Sequence, residues 1–116
     1  MNYAVLNYEM SVYIAETTEK PKILTELYKF WRTKSDRTGV DYVRLYEAIA
    51  GNTCASSKLL DAIYRKHGAS DGFNIVILLS LAKNPNVPDN IRKDLAWIAK
   101  NPFMPNVIRH ELMVSS

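Results

Sequence analysis

The sequence predicts an all-α fold of about seven helices stacked as a short curved array, and three observations carry that reading. The stretch Leu81-Ala82-Lys83-Asn84-Pro85-Asn86-Val87-Pro88-Asp89-Asn90-Ile91-Arg92-Lys93-Asp94-Leu95 returns seventeen residues later as Ile98 to Leu112, with eight of fifteen aligned positions identical. A unit recurring along a chain is the mark of stacked repeats. The unit itself reads as helix, break, helix. Asn84 and Asn101 precede prolines and so leave the α region, and their side chains can bond backbone groups two residues on. Pro88 and Pro105 suit the first position of the next helix. Ile91 and Leu95, like Ile108 and Leu112, then fall on one helical face. Finally, two fainter copies lie upstream, so that Ala15, Ala50, Ala82 and Ala99 become equivalent helix-end positions, small enough for neighbouring backbones to approach. Their spacings of 35, 32 and 17 residues fit two-helix units followed by one that has lost a helix.

The elements follow in order. Tyr3, Leu6, Met10, Tyr13 and Ile14 recur at helical spacing, which predicts a first helix to about Ala15, although Tyr3-Ala4-Val5-Leu6 also fits the start of a strand. A second helix runs from Pro21 to Thr33 with Ile23, Leu24, Leu27, Phe30 and Trp31 on one side, and Lys34 to Gly39 reads as a polar link. A third helix spans Asp41 to Gly51. A fourth spans Ser57 to His67, capped by Ser56 or Ser57 at its start and by His67-Gly68 at its end. Phe73 to Lys83 forms the fifth. Its Ile75-Val76-Ile77-Leu78-Leu79 run favours a buried strand on β propensity, but the repeat register makes Leu81-Ala82-Lys83 a helix end. A helix apolar all round is then expected in the middle of the array. The sixth runs from Pro88 to Lys100 and the seventh from Pro105 to Met113. The chain thus reads as a single helical-repeat domain over residues 1–116: N-terminal helix and turn to residue 20, repeat helices over 21–113, and a frayed tail at 114–116.

The phrase Ala-x-Asn-Pro-x-x-Pro-x-x-aliphatic resembles the variant leucine-rich repeat, a HEAT-like helical repeat of bacterial and phage proteins. Asp41-Tyr42-Val43-Arg44 followed by Ala48-Ile49-Ala50 is similar to that family's short helix, and Asp71 to Ala82 is a looser version with Ile77 where an arginine is expected. The likeness covers residues 14 to 112 and is tight only in the last third. It implies stacked antiparallel helices and no particular activity. Some members carry an iron–sulfur cluster on cysteines outside the repeats; a chain whose only cysteine is Cys54 has no such ligand set.

Composition bounds the rest. With 116 residues, 47% apolar and 23% charged, the chain suits one folded domain. A net charge of +3 is a mild lean towards anionic partners. One cysteine excludes an internal disulfide framework and fits a reducing compartment. The start Met1-Asn2-Tyr3-Ala4 lacks a basic region and Glu9 interrupts the short apolar run after it, so no signal peptide is read. No apolar run approaches the roughly 20 residues that span a bilayer. The expected address is the cytoplasm.

The search for chemistry is mostly empty. The glycines at 39, 51, 68 and 72 make no phosphate loop. Cys54, His67 and His110 fall on separate units without metal-ligand spacing, so no metal or cofactor is expected. Cys54 reads as a small half-buried turn residue, His67 as a cation completing a helix C-terminus, and His110 as a solvated position equivalent to Lys93. The expectation is a non-enzymatic module that binds a partner protein and inhibits or adapts it. Equivalent positions in successive units form a row, which nominates Arg92, Lys93 and Arg109, with Trp97, Phe103 and Met104 as apolar anchors. Arg92 and Arg109 are equally readable as braces between units. A homodimer through the C-terminal end is the variant of this reading. The alternative is sequence-independent nucleic-acid binding through Lys29, Arg32, Lys34 and Arg37, which interleave with Tyr28 and Trp31; the same residues also read as a solvated helix end over a core tryptophan.

Overall fold

In a computed structural model of the chain, residues 7–68, 74–100 and 110 are described. These residues form six α-helices and no strand. Helix α1 is Tyr8–Thr17, α2 Pro21–Thr38, α3 Val43–Gly51, α4 Ser57–Ile63, α5 Ile75–Lys83 and α6 Asp89–Ala99, with a π-helical turn Tyr64–Gly68 continuing α4. Residues 1–6 and the expected seventh helix lie outside the described residues, apart from His110, which is helical and exposed.

Local chemistry sets the helix starts. Asn7, Ser56 and Asn74 each accept a backbone N–H three residues on, from Met10, Leu59 and Ile77, and so satisfy a donor that the first turn leaves unpaired. Pro21 occupies the opening position of α2, whereas Pro88 sits one residue earlier than expected, as the N-cap of α6.

Three sequence expectations need correction. Helix α2 continues through Lys34–Thr38, which the polar composition had marked as a link. Its true stop is Gly39, whose left-handed φ of 75° lets its N–H close onto the Ser35 carbonyl. The fourth helix gives way to a π turn at Tyr64. Helix α5 confirms helix over strand, but Val76 is 44% exposed, so the helix is not buried all round.

Helix α3 packs between α1 and α5, while α2 lies against α1 and α3, α4 against α3, and α6 against α5. Small residues permit the close row of α1, α3 and α5: Ser11 and Ala15 from the first, Ala50 from the second, Ala82 from the third, all buried. Larger side chains fill the space behind, with Leu24, Leu27, Leu45, Ile49, Leu60, Ile63, Leu78 and Ile91 fully buried. Each such side chain contributes roughly 1.5–3 kcal/mol of transfer free energy.

The turns are tied to one another by asparagine. Asn52 donates through Nδ2 to the carbonyls of Ala15 (2.8 Å) and Thr18 (2.9 Å), and its Oδ1 accepts the Cys54 N–H. Asn84 does the same one helix pair later. It donates to Ala50 (2.8 Å) and Asn52 (2.9 Å) and accepts the Asn86 N–H. Ser57 and Asn86 add bonds between the same two turns. The bond to the residue two along was expected; the reach into the preceding turn was not.

Candidate functional site

Helix α6 has two unlike faces. Ile91, Leu95, Ile98 and Ala99 are buried against the core, while Asp89, Asn90, Lys93, Asp94 and Trp97 are exposed, as is Lys100 at the C-cap. Trp97 is 69% exposed, the most exposed of the large apolar side chains described. Lys93 precedes it by one helical turn and therefore shares its side.

Two polar side chains of this helix bond back to the rest of the fold. Arg92 is half-buried and donates from its guanidinium to the carbonyls of Asn84 (3.2 Å) and Pro85 (3.0 Å). It braces the turn before its own helix through these backbone oxygens. Asp94 accepts the Tyr64 O–H at 3.0 Å. Burial, reinforced by that carboxylate, pushes the Tyr64 hydroxyl up to about 12. Of the sequence-nominated partner residues, Lys93 and Trp97 thus share an outward surface and Arg92 is held in the fold. Phe103, Met104 and Arg109 lie outside the described residues.

The four cations of α2 do not form one patch. Lys34 Nζ stands 4.9 Å from the centroid of the Trp31 ring. Arg32 lies over Tyr28, with 5.9 Å from Cζ to centroid, and shares a groove with Lys29 and with Lys58 of α4. Arg37 is exposed in the last turn, where a cation complements the helix dipole. The interleaved aromatics are interior. Trp31 is 3% exposed and packs on Tyr8, Phe30 and Tyr42, and Tyr28 is 4% exposed.

His67 is the residue the sequence misread. The π turn places its ring flat on Tyr46, with centroids 3.8 Å apart and planes 17° from parallel. The Tyr28 hydroxyl is 3.1 Å from Nε2. Burial drives the imidazole pKa down to about 4, helped by Lys66 and Arg32 and opposed by Asp41 and Asp36. At neutral pH the ring is uncharged, so it can take the Tyr28 O–H at Nε2. It is not the cation expected to complete a helix end. Burial likewise raises the Tyr46 hydroxyl to about 12. Tyr28 and Tyr46 sit on the inward faces of α2 and α3, and no local sequence pattern ties them to His67.

Cys54 is half-buried in the turn after α3, as expected. Among the described residues no three His, Cys, Asp or Glu side chains cluster as metal ligands. No described helix is long and apolar enough to cross a membrane. No family model, curated protein or solved structure matches the chain.

Proposed function

We propose that the chain is a short helical-repeat array acting as a non-enzymatic binding module, which holds a partner protein against the outer face of α6 and so blocks or adapts it. The repeat reading is supported by Asn52 and Asn84, which make matching sets of bonds one helix pair apart. The binding reading rests on Trp97, an indole 69% exposed on a helix whose opposite side is buried. Covering such a ring in a partner's apolar pocket is worth on the order of 2–4 kcal/mol. Lys93 and Lys100 flank it, with exposed Asp89 one turn before Lys93, and these rim charges set orientation and association rate more than affinity.

Capture from native-host extract by the full chain, compared with Trp97→Ala and Lys93→Ala, tests the reading. The expected result is a specific protein that survives moderate salt, is lost with Trp97→Ala, and associates more slowly with Lys93→Ala. Equal recovery by Trp97→Ala contradicts it.

A further inference from the structure

The groove between α2 and α4 gathers positive charge that nothing in its lining answers. Lys29 and Arg32 enter from α2 and Lys58 from α4, and among the described residues that line it none is acidic. On the same two helices Asp36 pairs with Lys66 at 3.3 Å and Asp61 with Arg65 at 3.0 Å. A concave site with cations and no counter-charge concentrates positive potential. Beside these cations stand further donor groups, while the Thr25 hydroxyl of the lining already donates to the Pro21 carbonyl. Arg32 carries a buried Nε that lacks an acceptor. Ser56 Oγ accepts the Leu59 N–H, which leaves its own O–H available as a donor. Leu59 and Ala62 supply an apolar wall beside these groups. The space is about 260 Å³, below the size of ordinary drug-sized pockets and suited to a compact anion with a small body attached.

We propose that this groove binds small organic phosphate esters, the phosphate lying among Lys29, Arg32 and Lys58 and the apolar body against Leu59 and Ala62. Phosphate fits better than carboxylate because it presents three oxygens to three separate cations and can take the guanidinium fork at the same time. The inference is independent of the α6 surface. It also differs from a general basic patch on α2, since Lys34 and Arg37 take no part in the groove.

The test is calorimetric titration of the full chain with phenyl phosphate, inorganic phosphate, and one short single strand with either a 5′-phosphate or a 5′-hydroxyl. Saturable phenyl phosphate binding is expected, at least about tenfold tighter than inorganic phosphate. Lys58→Ala and Lys29→Ala should each weaken it about tenfold, while Lys34→Ala and Arg37→Ala change it less than about twofold; all four side chains are at the surface or partly so. A 5′-phosphorylated strand that binds where the hydroxyl strand does not supports the site and makes a strand end its source. Absence of saturable binding by any phosphate monoester overturns the proposal. So does equal binding of the two strands without phenyl phosphate binding, or equal loss in Lys34→Ala and Lys58→Ala.

Discussion

The side-chain amide of Asn84 donates to the backbone carbonyl of Asn52 at 2.9 Å, and Asn52 in turn donates to the turn before it. Each helix pair is therefore fastened to the last by an asparagine whose amide hydrogens and oxygen are all engaged. Asn84 is 1% exposed, so water cannot replace what the amide supplies.

Replacing Asn84 by Ala removes two donated bonds and one accepted bond and strands buried backbone groups. The expected loss is about 2–4 kcal/mol of unfolding free energy. Asn84→Asp should fare no better, because it keeps the acceptor, loses the donors and buries a charge. Denaturant titration checks both. A loss under about 1 kcal/mol in either variant shows that the turns hold without the amide.

His67 makes stability depend on pH. Its folded pKa is about 4 and its unfolded value near 6.5, so in that interval the unfolded chain binds the proton and the folded chain resists it. Stability is full above about pH 6.5, declines as the pH falls below it, and levels off for this group below about pH 4. For a partly exposed ring the loss is on the order of 2 kcal/mol after solvent screening. His67→Phe keeps a ring on Tyr46 and removes the titration. Its stability profile between pH 7 and 4 should be flatter than that of the wild type; parallel profiles contradict the assignment.

Gly39 ends α2 in a left-handed conformation with open space around its Cα. Gly39→Ala meets no neighbour, so its penalty is that of the backbone alone, about 1 kcal/mol by denaturation. An unchanged midpoint contradicts Gly39 as the stop of that helix.

The same residues mark the line between what local sequence encodes and what only packing creates. The helix α5 and its end at Lys83 were legible because the register of Ala82-Lys83-Asn84 outweighs the β preference of Ile75-Val76-Ile77. The breaks after Ala50 and Ala82 were legible too, although Asn52 is followed by threonine; the shared asparagine matters more than the proline. The extension of α2 was hidden because an exposed helix end has the composition of a loop, and only the glycine cap distinguishes them. His67 was misread for a different reason. Its neighbours Tyr28 and Tyr46 come from two other helices, and the π turn that aims the ring leaves no pattern in sequence. The grouping of Lys58 with Lys29 and Arg32 likewise exists only once α2 and α4 are side by side. On α6, periodicity separated Trp97 from the buried Ile91 and Leu95, but the turn of Arg92 back onto Pro85 depends on how the chain folds there.

Docking at α6 is tested most directly with a photocrosslinking amino acid placed in the full chain at position 93, beside Trp97, and in a second sample at position 13 on α1. Tyr13 is 66% exposed and gives an equally open control surface. Irradiation in native extract should yield one discrete protein adduct from position 93, lost when Trp97 is also changed to Ala, and none of that mass from position 13. The same adduct from position 13 alone, or an adduct at 93 that persists with Trp97→Ala, contradicts the claim that this helix face is where the partner docks.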